Sequence, residues 1–174
     1  MPIQRPFNFK KWIDEHRDLL KPPVGNKCVW EDREFIVMVV GGPNSRKDYH
    51  WEEGEEFFYQ LEGDILVKVQ EDGKAVDVPI HEGEIFLLPP RVPHNPVRRE
   101  DTVGLVIERK RREGEKDALM WFCENCNEKL YEEYFALTNI MTQFQGVFER
   151  FYGDEKLRTC NNCDAVMQPP PVVS

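Results

Sequence analysis

Between about Val29 and Arg109 the chain is built from short apolar runs rich in Val, Ile, Phe and Tyr, broken by Gly, Pro, Asn and Asp. That rhythm predicts strands. The runs are 35–40 (FIVMVV), 56–63 (EFFYQLEG), 64–70 (DILVKVQ), 75–80 (AVDVPI), 84–89 (EIFLLP) and 103–109 (VGLVIER). Turn signals join them, among them Glu71-Asp72-Gly73-Lys74 and His81-Glu82-Gly83-Glu84. With no helix between them, such strands argue against a parallel α/β sheet and for an all-β antiparallel sandwich or barrel. Ahead of the strands, Phe9, Trp12, Ile13, His16, Leu19 and Leu20 follow a three-and-four spacing behind Asn8. This predicts one capped amphipathic helix. It stops at Lys21-Pro22-Pro23, where proline removes a donor, and Val24-Gly25-Asn26 reads as an irregular loop able to rim a site.

After Arg112 a charged stretch (REGEKDA) opens a second segment, bounded by cysteines and running from Trp121 to about Met167. The expected organisation is a barrel with its N-terminal helix over 1–112 and a small extension over 113–174. The tail, QPPPVVS, has consecutive prolines and no periodicity, and is expected to extend over the surface.

Composition narrows the function classes. The 174 residues are 40% apolar and 32% charged, as in an ordinary globular chain. A formal charge of -9 repels phosphate backbones, which argues against nucleic acid as a partner. The basic run Arg109 to Arg112 is short, lies beside Glu108 and Glu113, and reads as a solvated connector. No window approaches the ~20 apolar residues of a membrane span, and the N-terminus lacks a signal-peptide run, so a cytoplasmic protein is expected. In a reducing compartment the five cysteines are poor disulfide candidates. Four of them form two C-x-x-C pairs, which points to metal. Cys28 is left over and reads as a buried structural thiol.

Histidines stand at 16, 50, 81 and 94. Two of them lie in patterned segments, Gly42-x7-His50-x5-Glu56-x6-Gly63 and Gly83-x5-Pro89-x4-His94. His50 is expected to end a strand and Glu56 to open the next, while Gly83 makes a turn before the run that leads to His94. Two imidazoles and one carboxylate form the facial set that binds Fe(II) and leaves about three octahedral positions open. His81, in a predicted turn, and His16, on the helix, are left out of this set. The two segments resemble the motifs of the cupin family, a jelly-roll barrel with a metal at its mouth. The resemblance covers about 42–98 and departs from the family at His50-Trp51-Glu52, where cupins have His-x-His, and at Arg91, where they have glycine.

Arg98 lies two strand periods beyond His94 and so shares its face, Arg46 stands four residues before His50, and Glu108 shares parity with Gly104 and Val106. Arginine at a barrel mouth is costly to bury unless an anion pairs with it, and its fork suits a carboxylate. A carboxylated substrate is therefore expected. The segments 19–26 (LLKPPVGN), 40–50 (VGGPNSRKDYH), 56–64 (EFFYQLEGD), 86–98 (FLLPPRVPHNPVR) and 106–109 (VIER) are similar to those of the 3-hydroxyanthranilate 3,4-dioxygenase family. That resemblance runs over nearly the whole chain. It implies ring opening of 3-hydroxyanthranilate by O2 to 2-amino-3-carboxymuconate semialdehyde, which cyclises unaided to quinolinate, a precursor of NAD. It further implies that His50, Glu56 and His94 ligate Fe(II), that Arg98, Glu108 and Glu56 contact the substrate, and that Arg46 lies beside oxygen. Arg46 and Glu108 are then the catalytic side chains, the protein is a homodimer, and Val24 to Asn26 and Ile140 are candidates for a substrate-responsive lid. On the residues alone, another cupin enzyme or a non-catalytic ligand-binding cupin stays open.

Cys123-x2-Cys126 and Cys160-x2-Cys163 offer four thiolates to a tetrahedral ion, iron or zinc. The sequence between them (NEKLYEEYFAL, FQGVFERFY) predicts added strand or helix. Some members of the resembled family, bacterial ones in particular, keep a rubredoxin-like iron site of this kind while others lack it, which implies a structural role here.

Overall fold

The computed structural model describes residues 3–22, 25–30, 33–138 and 140–171. The apolar runs fall into two antiparallel sheets. One holds β1 (Asn26–Cys28), β2 (Phe35–Gly41), β4 (Glu56–Glu62), β7 (Ile85–Leu88) and β9 (Val103–Arg109) in the order β1-β2-β9-β4-β7. The other holds β3 (Tyr49–Trp51), β5 (Ile65–Glu71), β6 (Lys74–Ile80), β8 (His94–Arg98), β10 (Asp117–Phe122) and β11 (Lys129–Phe135) in the order β11-β10-β3-β8-β5-β6. The chain passes repeatedly from sheet to sheet, as in a jelly roll.

Period-two alternation decides which residues meet between the sheets. In β5, Ile65, Val67 and Val69 are buried while the residues between them turn away. They join Ile80 against Met38, Phe58, Leu88 and Val106 of the facing sheet. Burial of each such side chain contributes roughly 1.5–3 kcal/mol, offset by the entropy of ordering it. The β5–β6 connection places Asp72 at φ 49° and Gly73 at φ 76°. Two successive positive values define the type I′ hairpin that an Asp-Gly pair favours. β5 starts one residue later than expected, because Asp64 belongs to a turn in which its Oδ1 accepts from the Glu82 amide at 2.9 Å.

The N-terminal helix is present as α1 (Phe9–His16), with Asn8 Oδ1 accepting from the Lys11 amide at 2.9 Å. A 3-10 turn over Arg17–Leu20 continues it up to the prolines. Ile13 and Leu20 pack on Val39 and Val103, covering part of the outer face of the five-stranded sheet. His16 stacks on Trp12 with ring centroids 4.1 Å apart. Cys28 is half-buried against the barrel core.

The segment beyond Arg112 is built into the second sheet. β10 pairs with β3, setting Leu119 opposite His50, and β11 adds the edge. Helix α2 (Ile140–Gly153) lays Phe144, Val147 and Phe151 on Leu119 and Trp121, and a single turn, α3 (Glu155–Arg158), follows. The tail to Pro171 is ordered enough to accept a hydrogen bond from Ser45 Oγ at 3.2 Å. No helix among the described residues is long and apolar enough to cross a membrane.

Candidate active site

Strands β3, β4 and β8 bring three side chains to one point. His50 pairs directly with His94 across β3 and β8, and Glu56 opens β4. All three are buried. One ring nitrogen of each histidine and one carboxylate oxygen of Glu56 lie within 4.8 Å of one another. His94 Nδ1 sits 3.1 Å from the Val92 carbonyl, to which it can only donate, so Nε2 carries the lone pair. That lone pair faces Glu56 Oε2 at 2.7 Å, yet Oε2 has no hydrogen-bond partner. In the neutral ring two electron pairs so close call for positive charge between them, a proton or a metal ion. Although burial works the other way, His94 holds the Glu56 carboxyl below its usual range, and Glu56 raises the His94 imidazole. A divalent cation would supply the same charge, and a set of two imidazoles and one carboxylate fits a first-row metal such as Fe(II).

Around this centre the structure gathers the other residues singled out by sequence. Arg46, Arg98 and Glu108 line the same cavity as His50, Glu56 and His94, a space of about 120 Å³. Arg98 is 3% exposed and donates to the neutral Gln60 Oε1 at 3.3 Å. Burial pulls its pKa down to about 10, with only the charge of Glu56 opposing. Its room comes from Gly104 on β9, where a Cβ would sit 2.8 Å from Arg98 Nη1. A guanidinium buried beside a neutral amide is short of an anion.

Arg46 reaches the cavity from the loop before β3. Its Nε donates to Asp48 Oδ1 at 3.0 Å, and its guanidinium lies over Phe144 and Phe148 of α2, 5.3 and 5.6 Å from the ring centroids. Phe144 also approaches the His50 ring at 5.4 Å. Glu108 is 3% exposed and pairs across the sheet with Glu56. Burial first, then the Glu56 charge, raises its pKa.

The basic run 109–112 departs from the expected solvated connector. Arg111 turns inward with 8% of its side chain exposed and binds Asp117, Glu52 and Glu108, because three buried carboxylates offer it more than water does. Arg109 pairs bidentately with Glu115 at 2.6 and 2.7 Å. Asp117, wholly buried, also places Oδ2 2.6 Å from His50 Nε2. Burial followed by the Glu108 charge pushes Glu52 up to about 9. Sequence reading missed Asp117, Arg111, Glu52 and Phe144. The available signal was an acid at the head of the apolar run DALMWF, a position a buried strand does not give to a charge without a partner.

Asn26 lines the cavity, whereas Val24 and the side chain of Ile140, named with it as lid candidates, lie outside the described residues. His81 is exposed and bonded to Asp64 at 2.9 Å, away from the centre.

The four paired cysteines also converge. Their sulfurs lie within 4.8 Å of one another, with Cys123–Cys163 at 3.6 Å and Cys126–Cys160 at 3.5 Å. Tetrahedral ligation at ~2.3 Å per thiolate calls for sulfurs roughly 3.8 Å apart. The two loops share one backbone pattern: the Asn127 amide donates to the Cys123 carbonyl at 2.9 Å and the Asp164 amide to the Cys160 carbonyl at 3.0 Å. Led by a hydrogen bond from the Asn125 side chain, its surroundings lower the Cys163 thiol to about 6, while burial pushes Cys160 up to about 11.

The chain is similar to known proteins over most of its length. A 3-hydroxyanthranilate 3,4-dioxygenase of Xanthomonas euvesicatoria pv. vesicatoria is 57% identical over 165 residues, covering 95% of this chain and 93% of that protein. One from Ruegeria pomeroyi is 54% identical over 168 residues, covering 94% and 93%. Among solved structures, a cupin-2 domain containing protein from Shewanella frigidimarina aligns with a TM-score of 0.48 at 17% identity, over 60% of this chain and 94% of that one. The profile of the 3-hydroxyanthranilic acid dioxygenase family matches residues 1–152, and with relatives this similar over nearly their whole length the chain belongs to that family.

Proposed function

We propose that this protein opens the aromatic ring of 3-hydroxyanthranilate with O2, giving 2-amino-3-carboxymuconate semialdehyde, which cyclises to quinolinate and so supplies NAD biosynthesis. The observation that carries this reading is Arg98, a buried guanidinium without a carboxylate partner, in one cavity with the His50, Glu56 and His94 cluster. An ortho-aminophenol with an adjacent carboxylate answers both features.

Fe(II) on His50, Glu56 and His94 would supply chelation of the substrate hydroxyl and amine and the electrons that activate oxygen. Arg98 holds the ring carboxylate, with Gly104 leaving the space and Gln60 fixing the fork. Glu108, whose pKa burial has raised, accepts a hydrogen bond or proton from the substrate as it is activated. Glu56 contacts the substrate from the opposite strand. Arg46, held by Asp48 and α2, offers positive charge where negative charge grows on oxygen.

The Cys123, Cys126, Cys160 and Cys163 set is read as a structural, rubredoxin-like site for iron or zinc whose four ligands complete the shell. On this reading the division into 1–112 and 113–174 is one of chemistry, since the second part shares the barrel's sheet. A homodimer is supported by the outer face of the five-stranded sheet. There Ile85 and Leu87 are 66% and 54% exposed; Leu87 continues a row through Phe57 and Ile107, and Ile85 one through Tyr59 and Leu105. Such a face suits a second copy.

Four outcomes test these readings. Anaerobically prepared Fe(II) protein mixed with 3-hydroxyanthranilate should consume one O2 per substrate and form a conjugated near-ultraviolet product that decays to quinolinate; no oxygen uptake would sink the proposal. Arg98→Ala should raise KM by roughly 10- to 100-fold, the loss of a charge-assisted pair, with iron content unchanged. Cys123→Ala should lower the melting temperature more than the activity per catalytic iron; the reverse would argue for electron transfer. Sedimentation velocity should give a dimer, with Leu87→Arg giving a monomer.

A further inference from the structure

The network behind the centre has a single cation at its hub. Arg111 Nε donates to Asp117 Oδ1 at 2.8 Å and Nη2 to Asp117 Oδ2 at 2.6 Å, a bidentate fork. Its Nη1 donates to Glu108 Oε2 and lies 3.0 Å from Glu52 Oε2. The two carboxylates that matter most point in different directions. Asp117 Oδ2 reaches His50 Nε2 at 2.6 Å, whereas Glu108 lines the cavity. A carboxylate on one nitrogen of a ligating histidine fixes the ring and leaves the other nitrogen's lone pair for the metal.

We propose that Arg111 is a positioning residue that ties the two halves of the site together. Through Asp117 it fixes the His50 ring toward the metal, and through Glu108 it fixes the acid that faces the substrate. Neither Arg111 nor Asp117 lines the cavity. Asp117 has no exposure to water, and its position at the start of β10, opposite Phe135 of β11, is set by the sheet rather than by the site. The guanidinium is therefore the movable member, and its planar fork alone matches both carboxylates at once. A lysine, as a point charge on a flexible stem, holds one of them.

The Glu108 arm rests on the proposed dioxygenase reading, while the His50 arm does not, so the two are read separately. Fe(II) affinity is measured anaerobically by competition with a chromogenic chelator, and coordination by the visible bands of the Co(II)-substituted protein. Asp117→Asn should weaken Fe(II) binding by about 10- to 100-fold and shift the Co(II) bands while leaving KM for 3-hydroxyanthranilate near that of the parent. Arg111→Lys should show both effects, weaker Fe(II) binding together with a changed KM or kcat. Combining the two substitutions should cost little further metal affinity, since both act on His50 through one path. Arg111→Met leaves buried carboxylates without a counter-ion and can fail to fold, so the conservative pair carries the test. Parent-like Fe(II) affinity and Co(II) spectra in both conservative variants, with only the melting temperature lowered, would overturn the proposal. If the metal effects appear but no variant or parent consumes O2 with this substrate, the metal arm stands and the substrate reading falls.

Discussion

The mouth of the barrel buries more negative than positive charge. Glu52, Glu56, Glu108 and Asp117 are each at most 7% exposed, whereas the guanidiniums beside them are those of Arg98 and Arg111. An uncompensated ion in such a place costs several kcal/mol even after relaxation, so the arrangement persists only if each carboxylate finds a cation or a proton. Arg111 answers for several of them at once, and Glu52 and Glu108 are raised toward their protonated forms. Glu56 and His94 stand 2.7 Å apart and each shifts the other toward its charged form, so the pair needs a positive charge between its facing atoms, a proton or a metal ion. A divalent cation held by His50, Glu56 and His94 would offset the excess of buried carboxylate, which would couple metal affinity to stability.

That constraint explains why the segment after Arg112 is integral to the barrel. Asp117 arrives on β10 and Phe144 on α2, so the back of His50 and one wall of the cavity come from the extension. The cysteine loops brace it against the barrel. Lys47 Nζ donates to Glu124 at 2.9 Å, and Gln70 and Asn127 exchange side-chain amide bonds at 2.9 Å in both directions. Lys47 lies between Arg46 and Asp48, so a brace on it also steadies the loop that presents Arg46. The four thiols converge beside these braces, so a metal ion held there would stiffen them and, through Lys47, the loop at the mouth.

The strands were legible from apolar runs between turn signals, the capped helix from three-and-four spacing, His50, Glu56 and His94 from motif spacing, and Arg98 and Glu108 from period-two parity. β3 and β8 were expected only through His50 and His94 and not as apolar runs, being short and carrying polar ligands. Arg111 was misread for a different reason. In a run of four basic residues, solvation is the cheaper fate of each, and only the three-dimensional convergence of Glu52, Glu108 and Asp117, separated by up to 65 positions, reverses the balance. Pairings of that kind are set by strand register between distant segments, which no local pattern encodes.

The charge arrangement also bears on selectivity under the proposed activity. A compound that chelates through hydroxyl and amine but lacks the ring carboxylate would leave Arg98 buried without an anion, the unfavourable state it occupies in the free protein. One that keeps the carboxylate but lacks the hydroxyl would satisfy Arg98 and forfeit chelation, leaving Glu108 facing carbon. A site built to bond a polar group can reject the analogue that lacks it by about 10⁴-fold or more, whereas an apolar pocket discriminates a missing methylene by only 10- to 200-fold. The cavity of about 120 Å³ combines both demands in one small space, so the same buried charges that strain the empty barrel define which molecule relieves them.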